Sequence, residues 1–125
     1  MFGIEFLQNF LYELLVDLRS KIWNYFPLAK ERVIKKGISA KRLLECDYGG
    51  YHRIFEPHIY GIKNGEDAIL TYQIGGESSS GGIPNWRRMK LEKMTNVRFH
   101  GGKFPGSRDT KGPPSPFDGY YLIVS

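Results

Sequence analysis

The stretch from residue 53 to residue 94 constrains the fold more than any other part of the chain. Within it, apolar runs of strand length alternate with short segments rich in Gly, Pro, Asn and Ser. The runs IFEPHIYGI, AILTYQI and WRRMKLEKM are separated by KNGED and by a Gly/Ser-rich loop. This alternation is typical of β-strands joined by hairpin-like connections. It predicts a small β-domain with these three segments as its core.

Further strand signals lie on both sides of this core. A first strand is expected over residues 42–48, with a turn at the Gly-Gly pair 49–50 before the chain returns. Pro57 has no amide hydrogen to give to a ladder, so it belongs at a strand edge or a bulge. The Asn-Gly pair 64–65 is the strongest short hairpin signal in the chain. The run 120–124 is strand-like and is expected to close the sheet.

The segment before the core carries a helical pattern. Apolar residues recur there at alternating spacings of three and four, at Ile4, Leu7, Leu11, Leu14 and Leu18. This spacing predicts a long apolar helix within residues 1–26, from Gly3 to about Phe26. Charged residues interrupt the run too often for a transmembrane span. The helix is therefore expected to pack on the β-domain or on a second copy of itself.

Pro27 interrupts this helix and suits the first turn of another. A second short helix is expected over residues 28–36, stopped by Gly37. The chain then divides into an N-terminal amphipathic helix, residues 1–26, and a β-domain with a short leading helix, residues 27–125. Residues 100–119, rich in Gly and Pro, are expected to be an irregular excursion within that domain. The predicted fold class is α+β.

Basic residues outnumber acidic ones by 18 to 13, which gives a net charge of +5. The first cluster of bases comprises Lys30, Arg32, Lys35, Lys36, Lys41 and Arg42. The second comprises Arg87, Arg88, Lys90, Lys93, Arg98, Lys103, Arg108 and Lys111. Such clusters indicate either a polyanionic partner or a solvated surface that keeps the protein soluble.

Catalytic and metal-binding patterns have little support in the sequence. Cys46 is the only cysteine, which excludes an intramolecular disulfide and suits a reducing compartment such as the cytoplasm. Its apolar flanks favour a core residue over a nucleophile. The three histidines and Cys46 show no zinc-ligand spacing, and serines 78–80 lack a nucleophile-elbow sequence. We therefore predict no enzymatic activity, no metal and no cofactor.

After the leading helices, the order LLECDYGGYHRIFEPHIYGI, AILTYQIGGESSSG and NWRRMKLEKM resembles the WYL domain. This is a small Sm/SH3-like β-barrel of bacterial transcriptional regulators and of phage-defence and CRISPR-linked proteins. The resemblance covers roughly residues 28–105. The pair 56–57 matches the family's "EP" step, the pair 72–73 its "YQ" pair, and residues 89–94 its "FRLDRI" strand. The resemblance implies a closed antiparallel barrel and a regulatory, ligand-sensing role.

The chain departs from the family pattern in two places. The Trp-Tyr-Leu triplet that names the family appears as Ala68, Ile69 and Leu70. The two arginines of the last motif are Lys90 and Lys93. Lysine is a point charge and lacks the planar fork of arginine, so the motif retains general attraction to anions. We expect a stand-alone ligand-binding module or one that acts on a separate partner.

The basic third segment of the core is the best candidate for ligand contact. Trp86 offers an aromatic face on which a base can stack, and the adjacent bases can neutralise phosphates. Along a strand, Arg88 and Lys90 share one face, opposite Met89. The alternative is that Trp86 belongs to the core and the bases are merely exposed. The expected ligand-binding residues are His58, Tyr72, Gln73, Ser79, Trp86, Arg87, Arg88 and Lys90.

The sequence therefore predicts a non-enzymatic module that binds a negatively charged ligand, with single-stranded nucleic acid or a nucleotide as the expected ligand and without a membrane span. The resemblance to the WYL domain implies a regulatory role in a bacterial or phage regulatory or defence context. The alternative is a protein-interaction module that acts through the apolar N-terminal helix, as a homodimer or by docking to another protein.

Overall fold

The computed structural model describes Gln8, Leu11 and residues 28–79, 81–108 and 116–125. Within these ranges the chain forms one α-helix and a six-stranded antiparallel sheet. The elements are α1 (Leu28–Ser39), β1 (Arg42–Tyr48), β2 (Tyr51–Lys63), β3 (Glu66–Gly76), β4 (Asn85–Lys90), β5 (Thr95–Lys103) and β6 (Gly119–Ile123). A short 3-10 helix, Leu91–Lys93, connects β4 to β5.

Strand β2 is the centre of the sheet because it pairs along both of its edges. One edge pairs with β3 from Arg53 to Lys63. Along the other edge, the first half of β2 pairs with β1 and the second half with β6. The change of partner coincides with a register shift between Pro57 and Ile59. The predicted place of Pro57 at a bulge is confirmed, and its missing amide hydrogen explains why the ladder is interrupted there.

The sheet has the order β4-β3-β2-β1-β5, with β6 beside the second half of β2. Strands β4 and β5 lie at opposite ends of this order and do not pair with each other, so the sheet is open. The predicted α+β class, a closed Sm/SH3-like barrel preceded by a long and a short helix, is therefore wrong. The described residues form a mostly antiparallel sheet with a single short helix. Strand β6 was expected to close the sheet. It instead pairs with the second half of β2, beyond the bulge, along the edge that pairs with β1 in the first half.

The long helix predicted within residues 1–26 lies outside the described residues, apart from Gln8 and Leu11. The alternative function, a protein-interaction module that acts through this helix, therefore also depends on residues outside the described ranges. Among the residues that the structure describes, no helix is long and apolar enough to cross a membrane.

The hairpin turns follow the local sequence signals. Gly49 and Gly50 join β1 to β2 with φ angles of 61° and 81°. Asn64 and Gly65 join β2 to β3 with φ angles of 54° and 76°. Positive φ at both central residues is what a type I′ turn, a common two-residue turn between antiparallel strands, requires. Further along, β5 extends to Lys103, so the expected irregular excursion begins later than predicted.

Helix α1 covers one face of the sheet. Ile34 and Ile38 of the helix are buried in the same core cluster as Leu44 of β1. The prediction that Gly37 stops the helix is wrong, because α1 continues to Ser39. A Cβ at Gly37 would lie 2.9 Å from Cδ1 of Leu44. The glycine therefore allows the helix to approach the sheet closely, and this packing outweighs its tendency to end a helix.

Cys46 and Tyr60 are two buried side chains of the core that carry polar atoms. Cys46 is fully buried, which confirms its predicted place in the core. Burial raises the pKa of its thiol to about 12, so the thiol stays protonated and inert. Tyr60 is also buried, and its hydroxyl donates to the carboxylate of Glu31 at 2.9 Å. Helix α1 and strand β2 are thus joined by a hydrogen bond as well as by packing.

Gly61 allows β6 to pair with β2, and its substitution tests that pairing. A Cβ at Gly61 would overlap the carbonyl oxygen of Gly119 and lie 2.7 Å from a ring carbon of Phe117. Gly61→Ala should therefore lower the free energy of unfolding, measured in urea, by roughly 1–3 kcal/mol. Gly101→Ala is the matched control, because a Cβ at Gly101 meets nothing within 4 Å. Equal stability of the two variants would contradict the pairing of β6 with β2.

Candidate ligand-binding pocket

The bulge in β2 places a buried histidine beside a cavity on the sheet face opposite α1. His58 is only 3% exposed and lies within the register shift that follows Pro57. Its carbonyl oxygen accepts a hydrogen bond from the amide of Val124 at 2.8 Å, just after β6. The cavity has a volume of about 130 Å³. We call this cavity the His58 pocket; its apolar wall consists of Ile59, Leu70, Trp86, Ile123 and Val124.

The polar wall of the His58 pocket consists of His58, Ser107 and Arg108, and Glu56 lies behind it. The Glu56 carboxylate accepts two hydrogen bonds of 2.7 Å, from Nε of Arg108 to Oε1 and from Nη2 of Arg108 to Oε2. Burial raises the pKa of Glu56, but hydrogen bonds from Arg108 and His58 outweigh burial and hold this pKa below its ordinary value. Glu56 is therefore an ionised carboxylate that only accepts hydrogen bonds.

The ionised state of Glu56 determines which nitrogen of His58 carries a proton. Nε2 of His58 lies 3.0 Å from Oε1 of Glu56, so we assign the proton to Nε2 as the donor. Burial lowers the pKa of His58 by more than Glu56 raises it, which keeps the ring neutral near pH 7. Nδ1 is then an acceptor, and it hydrogen-bonds no residue in the described part of the chain. His58 is one of the residues that line the pocket.

Aromatic rings extend from His58 to the surface of the sheet. The ring centroid of Trp86 lies 4.8 Å from that of His58, with an interplanar angle of 71°. Tyr72 lies 5.1 Å from Trp86, centroid to centroid, and the guanidinium carbon of Arg108 lies 4.4 Å from the Tyr72 centroid. Phe104 packs on the ring of His58 at 5.2 Å. Trp86 is half-buried, so it forms a wall of the pocket and also offers part of its surface to solvent.

Arg88 and Lys90 lie on the same face of the sheet as Trp86. Trp86 is paired opposite Tyr72, and alternate residues of β4 point to one side. Both bases are exposed. Nζ of Lys90 lies 3.0 Å from Oε2 of Glu66, and this hydrogen bond raises the pKa of Lys90. Arg88 and Lys90 thus follow Trp86 along this face, and Lys90 forms an ion pair with Glu66.

Gln73 and Arg87 hold the Gly/Ser-rich loop between β3 and β4. Gln73 is fully buried, and its Nε2 donates to the carbonyl oxygens of Gly75 at 3.0 Å and Glu77 at 2.9 Å. Nη2 of Arg87 donates to the carbonyl oxygen of Gly81 at 2.7 Å. Both side chains point to the sheet face opposite Trp86. Their contacts therefore fix the loop.

The structure brings together only part of the predicted ligand-binding set. His58 and Trp86 line the pocket, and Tyr72 lies next to Trp86. Arg88 and Lys90 follow along the same face, as predicted from strand alternation. Ser79 is exposed in the loop and is not among the residues that line the pocket, and Gln73 and Arg87 support that loop.

Sequence reasoning missed the ion pair that forms the polar wall. Glu56 entered only as part of a resemblance motif, and Arg108 only as a member of a basic cluster. The two residues are 52 positions apart in the chain. No local pattern connects an arginine in a Gly/Pro-rich segment with a glutamate in the central strand. The unusual position of Glu56 within an apolar run was the one available signal.

A comparison of the chain with protein-family models, curated proteins and solved structures finds no match. The resemblance to the WYL domain therefore stays a prediction, and the pocket is interpreted from its own geometry.

The neutral state of His58 predicts a loss of stability in mild acid. The folded-state pKa lies below the ordinary value of 6.5, so the unfolded state binds the proton more readily. The stability that His58 contributes is present above pH 6.5 and is lost as the pH falls through the folded-state pKa. Between about pH 7.5 and about pH 5.5, wild type should lose more stability in urea denaturation than His58→Gln does. An equal loss would contradict a buried neutral histidine.

The pair of Glu56 and Arg108 predicts coupled mutational effects. Arg108→Met leaves a buried carboxylate without its main partner, so it should destabilise the protein by roughly 1–3 kcal/mol. In a Glu56→Gln background the same substitution should cost less, because no buried charge is left behind. A double-mutant cycle of urea denaturation measures the coupling. Strictly additive effects would show that the pair contributes nothing as a unit.

Proposed function

We propose that the chain is a non-enzymatic module that binds single-stranded nucleic acid or a nucleotide. In this proposal a base contacts the aromatic rings at Trp86, and the phosphates lie along the exposed side of β4 at Arg88. The observation that carries the proposal is the position of an aromatic-walled cavity and an exposed arginine on one face of the sheet. Aromatic platforms combined with cations are how proteins hold single strands.

The distribution of charge supports a polyanion as the ligand. The chain has a net charge of +5. On this face, Glu56 forms an ion pair with Arg108, and Glu66 forms an ion pair with Lys90. In this proposal Arg88 and Lys90, which are exposed on the same face as Trp86, contact the phosphates. The affinity expected from so few cations is modest, and its salt dependence increases with each phosphate contact.

The contacts of His58 favour binding over catalysis. Its Nε2 is directed at Glu56, and within the described ranges no hydroxyl or thiol hydrogen-bonds either nitrogen of the ring. A histidine that activates a nucleophile is normally within hydrogen-bond reach of it. The regulatory or phage-defence setting and the cytoplasmic location rest on the WYL resemblance and on the single cysteine.

The test is fluorescence anisotropy with labelled single-stranded DNA and RNA of about ten nucleotides, between about 50 and 200 mM salt. The logarithm of the affinity should fall linearly with the logarithm of the salt concentration. Arg88→Ala should weaken binding and reduce that slope by about 0.7, the value for one lost phosphate contact on a single strand. Adding Lys90→Ala should weaken binding further.

Arg32→Ala is the matched control, because Arg32 is exposed on α1, which covers the other face of the sheet. It should leave the slope unchanged. Electrophoresis of the recovered oligonucleotide should show it intact, as expected for a binding module. The proposal is wrong if wild type binds no single strand at the lowest salt, or if Arg32→Ala and Arg88→Ala weaken binding equally.

A further inference from the structure

We infer that Arg53 binds a small oxyanion, a carboxylate or a phosphate group, at the end of the sheet beside the turn between β1 and β2. This site is separate from the proposed nucleic-acid site, because the two lie on opposite faces of the sheet. Arg53 is paired with Cys46, whose side chain belongs to the core cluster beneath α1. Trp86 lies on the other face, with the His58 pocket.

Arg53 is a buried cation without a counter-charge. It is only 6% exposed, and its guanidinium is always charged. It forms no ion pair with any residue that the structure describes. Its contacts are neutral: Nε donates to the carbonyl oxygen of Tyr48 at 3.1 Å, and Nη1 donates to Oε1 of Gln73 at 3.2 Å. The rings of Tyr48 and Tyr51 lie 5.4 and 5.7 Å from the guanidinium carbon. A buried charge among neutral groups is costly, and a bound anion offsets part of that cost.

The guanidinium of Arg53 has donors that the protein does not use. It carries five N–H groups, and the bonds to Tyr48 and Gln73 occupy two of them, which leaves three. Nη2 donates to no residue within the described ranges, and the atoms around it do not enclose it fully. Nη2 is therefore open to solvent. Hydrogen bonds from arginine to carboxylate or phosphate oxygens are among the strong ones in proteins, which identifies the class of ligand.

The side chain of Arg53 is held in place before any ligand binds. Gln73 accepts from Arg53 with Oε1, and its Nε2 donates to the carbonyl oxygens of Gly75 and Glu77 in the Gly/Ser-rich loop. The loop backbone also packs directly on β2, since a Cβ at Gly76 would lie 2.9 Å from Cα of Arg53. An oxyanion thus meets a donor whose position is already fixed, which lowers the entropic cost of binding.

The turn between β1 and β2 leaves Nη2 of Arg53 uncovered. A Cβ at Gly49 would lie 3.7 Å from Nη2, and a Cβ at Gly50 would meet nothing within 4 Å. A carboxylate attached at position 49 would therefore reach the same nitrogen. The φ of Gly49 is 61°, and Asn64 has a φ of 54° at the same position of the next hairpin turn. Asparagine and aspartate both suit this turn position.

The test is thermal melting of the full chain, titrated with inorganic phosphate or with acetate against chloride at equal ionic strength. Phosphate stabilises folded proteins in general because it is excluded from their surfaces, so the readout is a rise that saturates with concentration. At least one of the two oxyanions should raise the melting temperature of wild type by about 4 °C at tenfold its dissociation constant. A wild type that shows no saturating rise with either oxyanion overturns the inference.

Two substitutions at Gly49 isolate the charge at the site. Gly49→Asp supplies a carboxylate beside Nη2 of Arg53, so it should melt about 3 °C above Gly49→Asn and lose the saturating response. Gly49→Asn is the matched control, because it has nearly the same shape and the same backbone demand without the charge. It should keep the response. Equal melting temperatures and equal responses of the two variants overturn the inference.

Arg53→Met removes the cation itself and should abolish the saturating response, whereas Arg32→Met, which removes an exposed base of α1, should retain it. A response that persists in a folded Arg53→Met overturns the inference. If Arg53→Met does not fold, the two Gly49 variants decide alone. Single-stranded oligonucleotides are absent from these titrations, so failure of the Arg53 site leaves the proposed nucleic-acid binding untouched, and the reverse also holds.

Discussion

The missing amide hydrogen of Pro57 is the constraint on which the rest of the structure depends. A thirteen-residue strand, β2, cannot continue its ladder through a proline, so its register with β3 shifts at that point. The shift lets β2 exchange one neighbour, β1, for another, β6. It also leaves Glu56 and His58 on either side of the proline close enough to hydrogen-bond. Pro57 thus lies where β2 changes its neighbour from β1 to β6, between Glu56 and His58 at the polar wall of the pocket.

Charge is organised differently inside and outside the pocket. Inside, Glu56 is almost inaccessible to water, and its charge is tolerated because Arg108 and His58 supply three short hydrogen bonds. Outside, Arg88 and Lys90 of β4 are exposed to solvent, where salt screens their charges. One face of the sheet thus combines a pocket whose polar wall is backed by a paired carboxylate with exposed basic residues beside it.

Sequence predicted the features that are decided locally and missed those decided by distant contacts. The hairpin at residues 64–65 and the bulge at Pro57 follow from backbone chemistry that a few residues specify. The end of α1 was misplaced because packing against a strand overrides the helix-ending tendency of Gly37. The prediction of a closed barrel was wrong because closure requires the two edge strands, here β4 and β5, to pair with each other, and they do not. The ion pair between Glu56 and Arg108 joins segments that no periodicity relates.

The hydrogen bond between the amide of Val124 and the carbonyl of His58 has a kinetic consequence. Strands β1 to β3 are joined by two-residue turns, so their pairing closes only short loops. Docking of β6 closes a far longer loop, and its entropy must be lost before the new contacts form. The wall that β6 supplies to the pocket is therefore completed after the hairpins. During refolding, the pairing of β6 with β2 should therefore lag behind the recovery of the main β-sheet signal.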